Sequence, residues 1–287
     1  MMQVRFSPSR LPVLTKWTAD MIASAGEGEF EVSLDLGLTR SQVRVTGGLL
    51  LLPGGEEIPF EKMKELEEGE VYFVRGGRIF RAAFFAGGRY YRLLAVRPDS
   101  APTLEISGVR MHRTEEITPW RDAELKVRCV RPFPGSSVLD VGTGLGYTAI
   151  WSLSLGSSSV VTIERDRNVI KMAEVNPWSE RLSDARVRIL LGDASEVIEE
   201  FGDASFDRVI NDPPRFALAG ELYSGDFYKE IFRVLRPGGW LYHYVGDPGR
   251  RRRKDMPAGV IRRLKECGFE RVRRAAVGVL ARKPPEV

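Results

Sequence analysis

Residues 138–147 read "VLDVGTGLGY", and the fold turns on what an apolar run that passes into three alternating glycines must do. Val138 to Val141 is apolar enough for a strand buried in a sheet. Gly142, Gly144 and Gly146 then let the backbone turn sharply, pass close under a ligand and enter a helix, whose N-terminus favours negative charge. The spacing is Gly-x-Gly-x-Gly, and Tyr147 stands where a dinucleotide fingerprint would want Gly or Ala. An acid, Asp140, precedes the first glycine. A cofactor with an amino group and no pyrophosphate suits that acid better than NAD does.

Outward from this stretch the chain alternates regularly between strands and helices. A helix from about residue 146 ends at Gly156, and strand "VVTIE" leads to a helix starting at Asp166 and stopped by Pro177. Strand "VRILL" precedes a helix with Val197, Ile198 and Phe201 on one face, closed by Gly202. Strand "FDRVI" is followed by a helix with Phe227, Ile231 and Leu235 at four-residue spacing, before Pro237. "WLYHYV", a helix through 258–267, "FERVRR" and "AVGVLAR" complete the set. Five β-α units and a terminal hairpin predict an α/β, doubly wound, Rossmann-like and mainly parallel sheet with ligands at the carboxyl ends of its strands. Glu164 ends the second strand, 24 residues after Asp140, where a carboxylate can accept both hydroxyls of a ribose. Asp193 ends the third. The plainer readings are a solvated strand end for Glu164 and a helix N-cap for Asp193.

Residues 206–220, "FDRVINDPPRFALAG", end the fourth strand in Asn211, Asp212, Pro213 and Pro214. Pro-Pro is a good strand stop, since proline has no N–H for a ladder. It also sits on the same edge of the sheet as the glycine loop.

These motifs together resemble the class I S-adenosylmethionine-dependent methyltransferases over roughly residues 110–287. The resemblance implies S-adenosylmethionine as cofactor, with its methionine moiety held by Asp140, Gly142, Thr143, Gly144, Leu145 and Gly146. It implies ribose at Glu164 and adenine at Asp193 and Ala194, with Tyr147, Arg165 and Asn211 alongside. Members that modify exocyclic amines carry Asn/Asp/Ser-Pro-Pro-aromatic after the fourth strand, which maps catalysis onto Asp212, Pro213 and Pro214. A base amine is a poor nucleophile because its lone pair is delocalised; the Asp212 carboxylate and the Pro213 carbonyl would hold its hydrogens and aim that lone pair at the methyl group. Arg215 replaces the usual aromatic, so either Arg215 or the adjacent Phe216 would stack on the base. "ISGVRMHRTEEITPWRDAELKV", "GLGYTAI" and "NPWS" resemble an archaeal family of methyltransferases, some associated with RNA cytidine amino-group methylation. That implies RNA, and ribosomal RNA in particular, as partner.

The rest of the chain bounds these readings. Between residues 30 and 97 short β-rich runs are punctuated by Gly-Gly at 47–48, 54–55, 76–77 and 87–88, predicting tight hairpins, with one short charged helix in "PFEKMKELEEGE". A linker in "RPDSAPTLE" would divide an N-terminal β-rich domain, residues 1–105, from a methyltransferase domain, residues 106–287. Net charge is 0 over residues 1–110, −4 over 111–246 and +8 over 247–287, so basic character gathers near Arg250, Arg251, Arg252 and Arg253. Such a run is a solvated loop or the footprint of a phosphate backbone. Two Gln and three Asn beside 82 charged side chains point to a thermophile. Cys129 and Cys267 read as core thiols, with a bridge between them left open, and His112 and His243 lack metal-ligand spacing. Trp120 and Lys126 read as packing residues or as a cover for the cofactor. With no signal core and no apolar span, the expectation is a cytoplasmic enzyme. A spermidine-synthase-like aminopropyltransferase, suggested by "ELYSGDFYKEIFRVLRPGG", and a protein amide methyltransferase are the rival activities.

Overall fold

A computed structural model describes residues 2–214, 219–246 and 256–286. The chain divides into two compact units, one of residues 1–6, 123–167 and 182–287, the other of residues 7–122 and 168–181.

The first unit is built on one eight-stranded sheet. Its strands are β1 (Met2–Val4), β2 (Ser137–Val141), β3 (Ser159–Glu164), β4 (Val187–Leu191), β5 (Phe206–Asn211), β6 (Leu235–Tyr244), β7 (Glu270–Ala275) and β8 (Gly278–Arg282). Their spatial order is β1-β4-β3-β2-β5-β6-β8-β7. The pairs from β4 through β6 are parallel. β1 closes one edge antiparallel to β4, and the β7–β8 hairpin closes the other antiparallel to β6. The order reverses at β2, which has β3 on one side and β5 on the other; that is the switch point at which a doubly wound sheet opens a crevice. The predicted doubly wound fold is therefore present, with β1 as an addition: residues 2–4, grouped by sequence with the N-terminal domain, belong to this sheet.

Val138, Leu139 and Val141 are buried, as a strand covered on both faces requires. The helices used below are α1 (Pro119–Val130), α2 (Tyr147–Ser154), α3 (Arg167–Val175), α4 (Gly225–Val234) and α5 (Met256–Glu266). Ser224 caps α4 by accepting the Phe227 amide, and Phe227, Ile231 and Val234 turn inward together. α4 stops at Val234, one residue short of the predicted Leu235, which already begins β6. Pro237 ends helical geometry early, and the register shift between Phe206 and Arg208 against β6 takes up residues 236–239 as a bulge. The helix expected over 197–201 is a single α turn, Ala194–Val197, passing into a 3₁₀ turn, Ile198–Glu200. Its burial was read correctly, since Val197, Ile198 and Phe201 share the core. Both cysteines are free thiols.

In the second unit all four Gly-Gly pairs sit at hairpin turns with positive φ, 56° and 76° at Gly47 and Gly48 for example. The charged stretch after Pro59 is a 3₁₀ helix, Phe60–Glu65. Residues 97–105 differ from their reading as a linker: Thr103–Ile106 is a strand paired with Arg89–Leu94, and Ala101 and Leu104 are buried. An apolar residue at every second or third position outweighs the Pro and Ser there. Within this unit Trp120 packs on Trp178 at 5.1 Å between ring centroids, and the Trp178 indole N–H donates to the Leu36 carbonyl, so Trp120 is a packing residue. No helix among the described residues is long and apolar enough to cross a membrane.

The core of the first unit yields a direct stability test. Ile231→Ala, at a fully buried site on α4, should cost about 2–5 kcal/mol in chemical denaturation.

Candidate active site

β2 and β5 are parallel neighbours whose last rung joins Val141 to Asn211. The Asp212 amide adds one more bond, donating to the Val141 carbonyl at 2.9 Å. Beyond it the two loops stay in contact: a Cβ built on Gly142 would stand 2.6 Å from the Asp212 carbonyl oxygen. Gly142 also has φ +91°, so both space and backbone conformation require glycine. A Cβ on Gly146 would collide with Leu182. Gly144, with φ +53°, faces open space and is the point of the loop over which a ligand can lie.

The loop is anchored from behind. The amides of Gly142 and Thr143 both donate to the Ile163 carbonyl at 3.0 Å. The Thr162 hydroxyl donates to Asp140 Oδ2 at 2.8 Å, so it must accept at 2.7 Å from the Thr143 hydroxyl, giving a directed chain from loop to carboxylate. Asp140 is fully buried, and its Oδ1 makes no hydrogen bond of normal geometry. Burial pushes its carboxyl up from 3.8 to about 7, against the pull of the Thr148 and Thr162 hydroxyls and Lys126, with the charge of Asp212 adding to the rise. A buried carboxylate oxygen that the Thr148 hydroxyl does not meet in normal hydrogen-bond geometry fits a partner such as the ammonium of a methionine moiety.

Glu164 accepts the Gly144 amide at Oε2 (3.1 Å) and the Asp166 amide at Oε1 (2.9 Å). Desolvation still holds its carboxyl above the ordinary range, and each oxygen keeps a lone pair for a ribose hydroxyl. Asp193 caps the turn after β4, accepting from the Ser195 amide and hydroxyl at 3.0 and 2.7 Å. Burial acts to raise its carboxyl, but the Ser195 bonds and Arg165 bring the net shift below the usual range. Arg165 spans Asp193 and Glu221 at 3.6 and 3.7 Å. Ala194 is buried beside the cap.

The loop after β5 has a polar underside. Asn211, fully buried, donates through Nδ2 to the Leu222 carbonyl at 3.1 Å and lies 2.6 Å from His243 Nδ1. His243 is pushed down to about 3 by burial and stays neutral, its Nδ1 the acceptor for Asn211. Tyr223 packs edge-on against His243 and donates its hydroxyl to the Pro214 carbonyl at 3.1 Å. Asn211 therefore braces the loop from inside the core, and Leu145 and Tyr147 are likewise interior residues. Arg215, Phe216 and Arg250 to Arg253 lie outside the described residues.

Above the loop Asp212 Oδ2 accepts from Lys126 Nζ at 2.8 Å. Lys126, on α1, is 2% exposed, and its ammonium also stands 4.2 Å from the centre of the Tyr244 ring. The sequence reading left Lys126 among packing residues. The available signal was its position in α1 at the spacing of Ala123, Val127 and Val130, a charge on an apolar stripe.

The sequence profile of the methyltransferase domain matches residues 139–243. Over 280 residues the chain is 44% identical to an uncharacterized protein of Methanocaldococcus jannaschii, MJ1233, covering 94% of this chain and 95% of that one. It is 30% identical over 126 residues to a protein of Mycobacterium bovis that carries the name O-methyltransferase; these cover 41% of this chain and 54%, about half, of that relative. Among solved structures, spermidine synthase in complex with the transition-state analogue AdoDATO has a TM-score of 0.59 at 20% identity, covering 71% of this chain and 73% of the other, a likeness of fold.

The buried acid sets a pH-dependent stability. Because the folded protein holds the Asp140 proton more tightly than the unfolded chain, this group's contribution is present below pH 4 and is lost as pH rises through about 7. Asp140→Asn in the ligand-free protein should therefore melt higher than wild type at pH 8, with the gain shrinking toward pH 5. A variant that melts lower than wild type at pH 8 would show that its partners compensate the buried charge.

Proposed function

The chain belongs to the family of the Methanocaldococcus jannaschii protein and is a class I S-adenosylmethionine-dependent methyltransferase, and from that premise we propose that its acceptor is an exocyclic base amine in RNA, the cytidine 4-amino group of ribosomal RNA being the instance the resemblance implies. The observation that carries the reading is Asp212, a carboxylate at the mouth of the switch-point crevice, its carbonyl against Gly142. When bound, S-adenosylmethionine supplies an electrophilic methyl group and departs as the neutral thioether. The chain's own residues do the rest. Asp140, Glu164, Asp193 and the glycine loop hold the cofactor. Asp212 and the Pro213 carbonyl accept the two amine hydrogens, which turns the lone pair out of conjugation and toward the methyl carbon. As the nitrogen–carbon bond forms, the excess proton leaves the nitrogen for Asp212 or solvent. Pro214, held by Tyr223, keeps the loop in place.

RNA as the partner is supported by the basic stretch at Arg250 to Arg253, which follows β6 in the sequence. Neutralising these four residues should weaken RNA binding and flatten its salt dependence while cofactor affinity stays unchanged. A salt-series titration with an unchanged slope would return them to a solvated loop.

Asp212 is tested by single-turnover methyl transfer to RNA from a strain lacking the protein. Asp212→Ala should keep cofactor binding in calorimetry and lose rate by about 10²–10³. Asp212→Asn should retain more, because an amide oxygen still accepts. Near-wild-type turnover by Asp212→Ala would reduce the Pro-Pro step to a strand stop. A preference for decarboxylated cofactor would favour aminopropyl transfer instead.

A further inference from the structure

Three ionisable side chains act on one another above the loop after β5: Asp212 of the loop bonds Lys126 from α1 at 2.8 Å, and both lie within electrostatic range of Asp140 from β2. The two carboxylates repel each other across the crevice, and Asp140 sits in a dry setting where such repulsion is poorly screened. Lys126 is the cation placed against both. Its side chain is 3% exposed whereas that of Asp212 is 18% exposed, so the lysine lies inside and the carboxylate at the opening. The Tyr244 ring flanks the ammonium, and the phenol of Tyr223 lies within electrostatic range of Asp212. A lysine is strongly hydrated, and burying one with no ligand task on an apolar helix stripe is costly. Here the burial has a geometric result: one oxygen of Asp212 is tied back, and the carboxylate is held in a single orientation at the edge of the site.

We propose that Lys126 is the positioning residue of the transfer site, keeping Asp212 ionised and oriented so that its carboxylate can take a hydrogen of the acceptor amine. This rests on the reading of Asp212 given above. The substrate meets Asp212, and Lys126 acts only through it. Without Lys126 the Asp212 carboxylate loses the cation that favours its charged form and the bond that fixes its orientation.

The test is the pH profile of single-turnover methyl transfer to RNA from a strain lacking the protein, at saturating cofactor, for Lys126→Met, Lys126→Arg and Asp212→Asn. Lys126→Met should lower the rate at pH 7 by about 10–100-fold, the range of a lost positioning group, with its acid limb displaced upward. Its cofactor affinity in calorimetry should stay within about threefold. Lys126→Arg should recover most of the rate, since the charge is kept. In the Asp212→Asn background, where no carboxylate remains to be held, Lys126→Met should cost little further rate and shift no limb. Wild-type rate and profile for Lys126→Met, or independent multiplicative losses in the double variant, would overturn the proposal. Loss of cofactor binding sufficient to account for the slower rate would also overturn it, making Lys126 a cofactor ligand. Should Lys126→Met fail to fold by near-UV circular dichroism, Lys126→Leu, uncharged and without a donor for Asp212, carries the same forecast. The two readings fail differently: wild-type transfer by Asp212→Ala removes the amine reading itself, whereas a slow Asp212→Ala beside an unaltered Lys126→Met removes only the role of the lysine.

Discussion

The approach of Gly142 to the Asp212 carbonyl is the constraint on which the site depends. Two parallel strands end in register, and the loops they launch remain packed backbone to backbone with no room for a methyl group between them. The glycine loop can then neither rise nor slide without moving the loop that carries Asp212. Ligands lying on the two loops would be held at a separation set by the sheet, through the register of β2 against β5. The chain of Thr143, Thr162 and Asp140 fixes the same loop from the β3 side, so the glycine turn is clamped between its two neighbouring strands.

That clamp is bought with unfavourable electrostatics. Asp140 is fully buried with one oxygen unpaired, and its carboxyl is pushed up to about 7. A second carboxylate, Asp212, acts on it through space, and a buried lysine pairs with that one. Ion desolvation of this kind costs several kcal/mol per group after relaxation, and a Lys–Asp pair returns only part of it. An apolar cluster at the same place would make a more stable sheet end. A cationic group meeting Asp140 would offset that cost.

The glycine loop, the three strand-end acids and the loop after β5 were legible because each is local: an apolar run, a turn and a polar residue within ten positions. The doubly wound, mainly parallel sheet followed from regular alternation. What stayed illegible depends on tertiary burial. Asn211 and Asp212 are adjacent polar residues at one strand end, and alternation along the strand sends the first into the core toward His243 and the second to the opening. From sequence both are simply polar. Lys126 is 86 residues from Asp212 and becomes an ion partner only because α1 turns that face inward. Residues 97–105 misled in the other direction, since Pro and Ser suggested a linker where long-range pairing with Arg89–Leu94 makes a strand.

Beneath the loop, by contrast, the support is neutral. His243 remains uncharged because its nitrogen would have to be protonated in a fully buried position, and burial likewise drives the Tyr223 hydroxyl far above its ordinary range. Neither group changes charge near neutral pH, so the Asn211–His243 and Tyr223–Pro214 bonds that brace the loop persist while the groups above it titrate. Structure and charge are thereby separated across the thickness of one loop. The lower face sets where the Asp212 backbone sits, and the upper face carries the ionisable side chains, with Lys126 bonded to the Asp212 carboxylate. The group displaced toward neutral pH, Asp140, stands on the upper face, while the lower one holds its protons throughout.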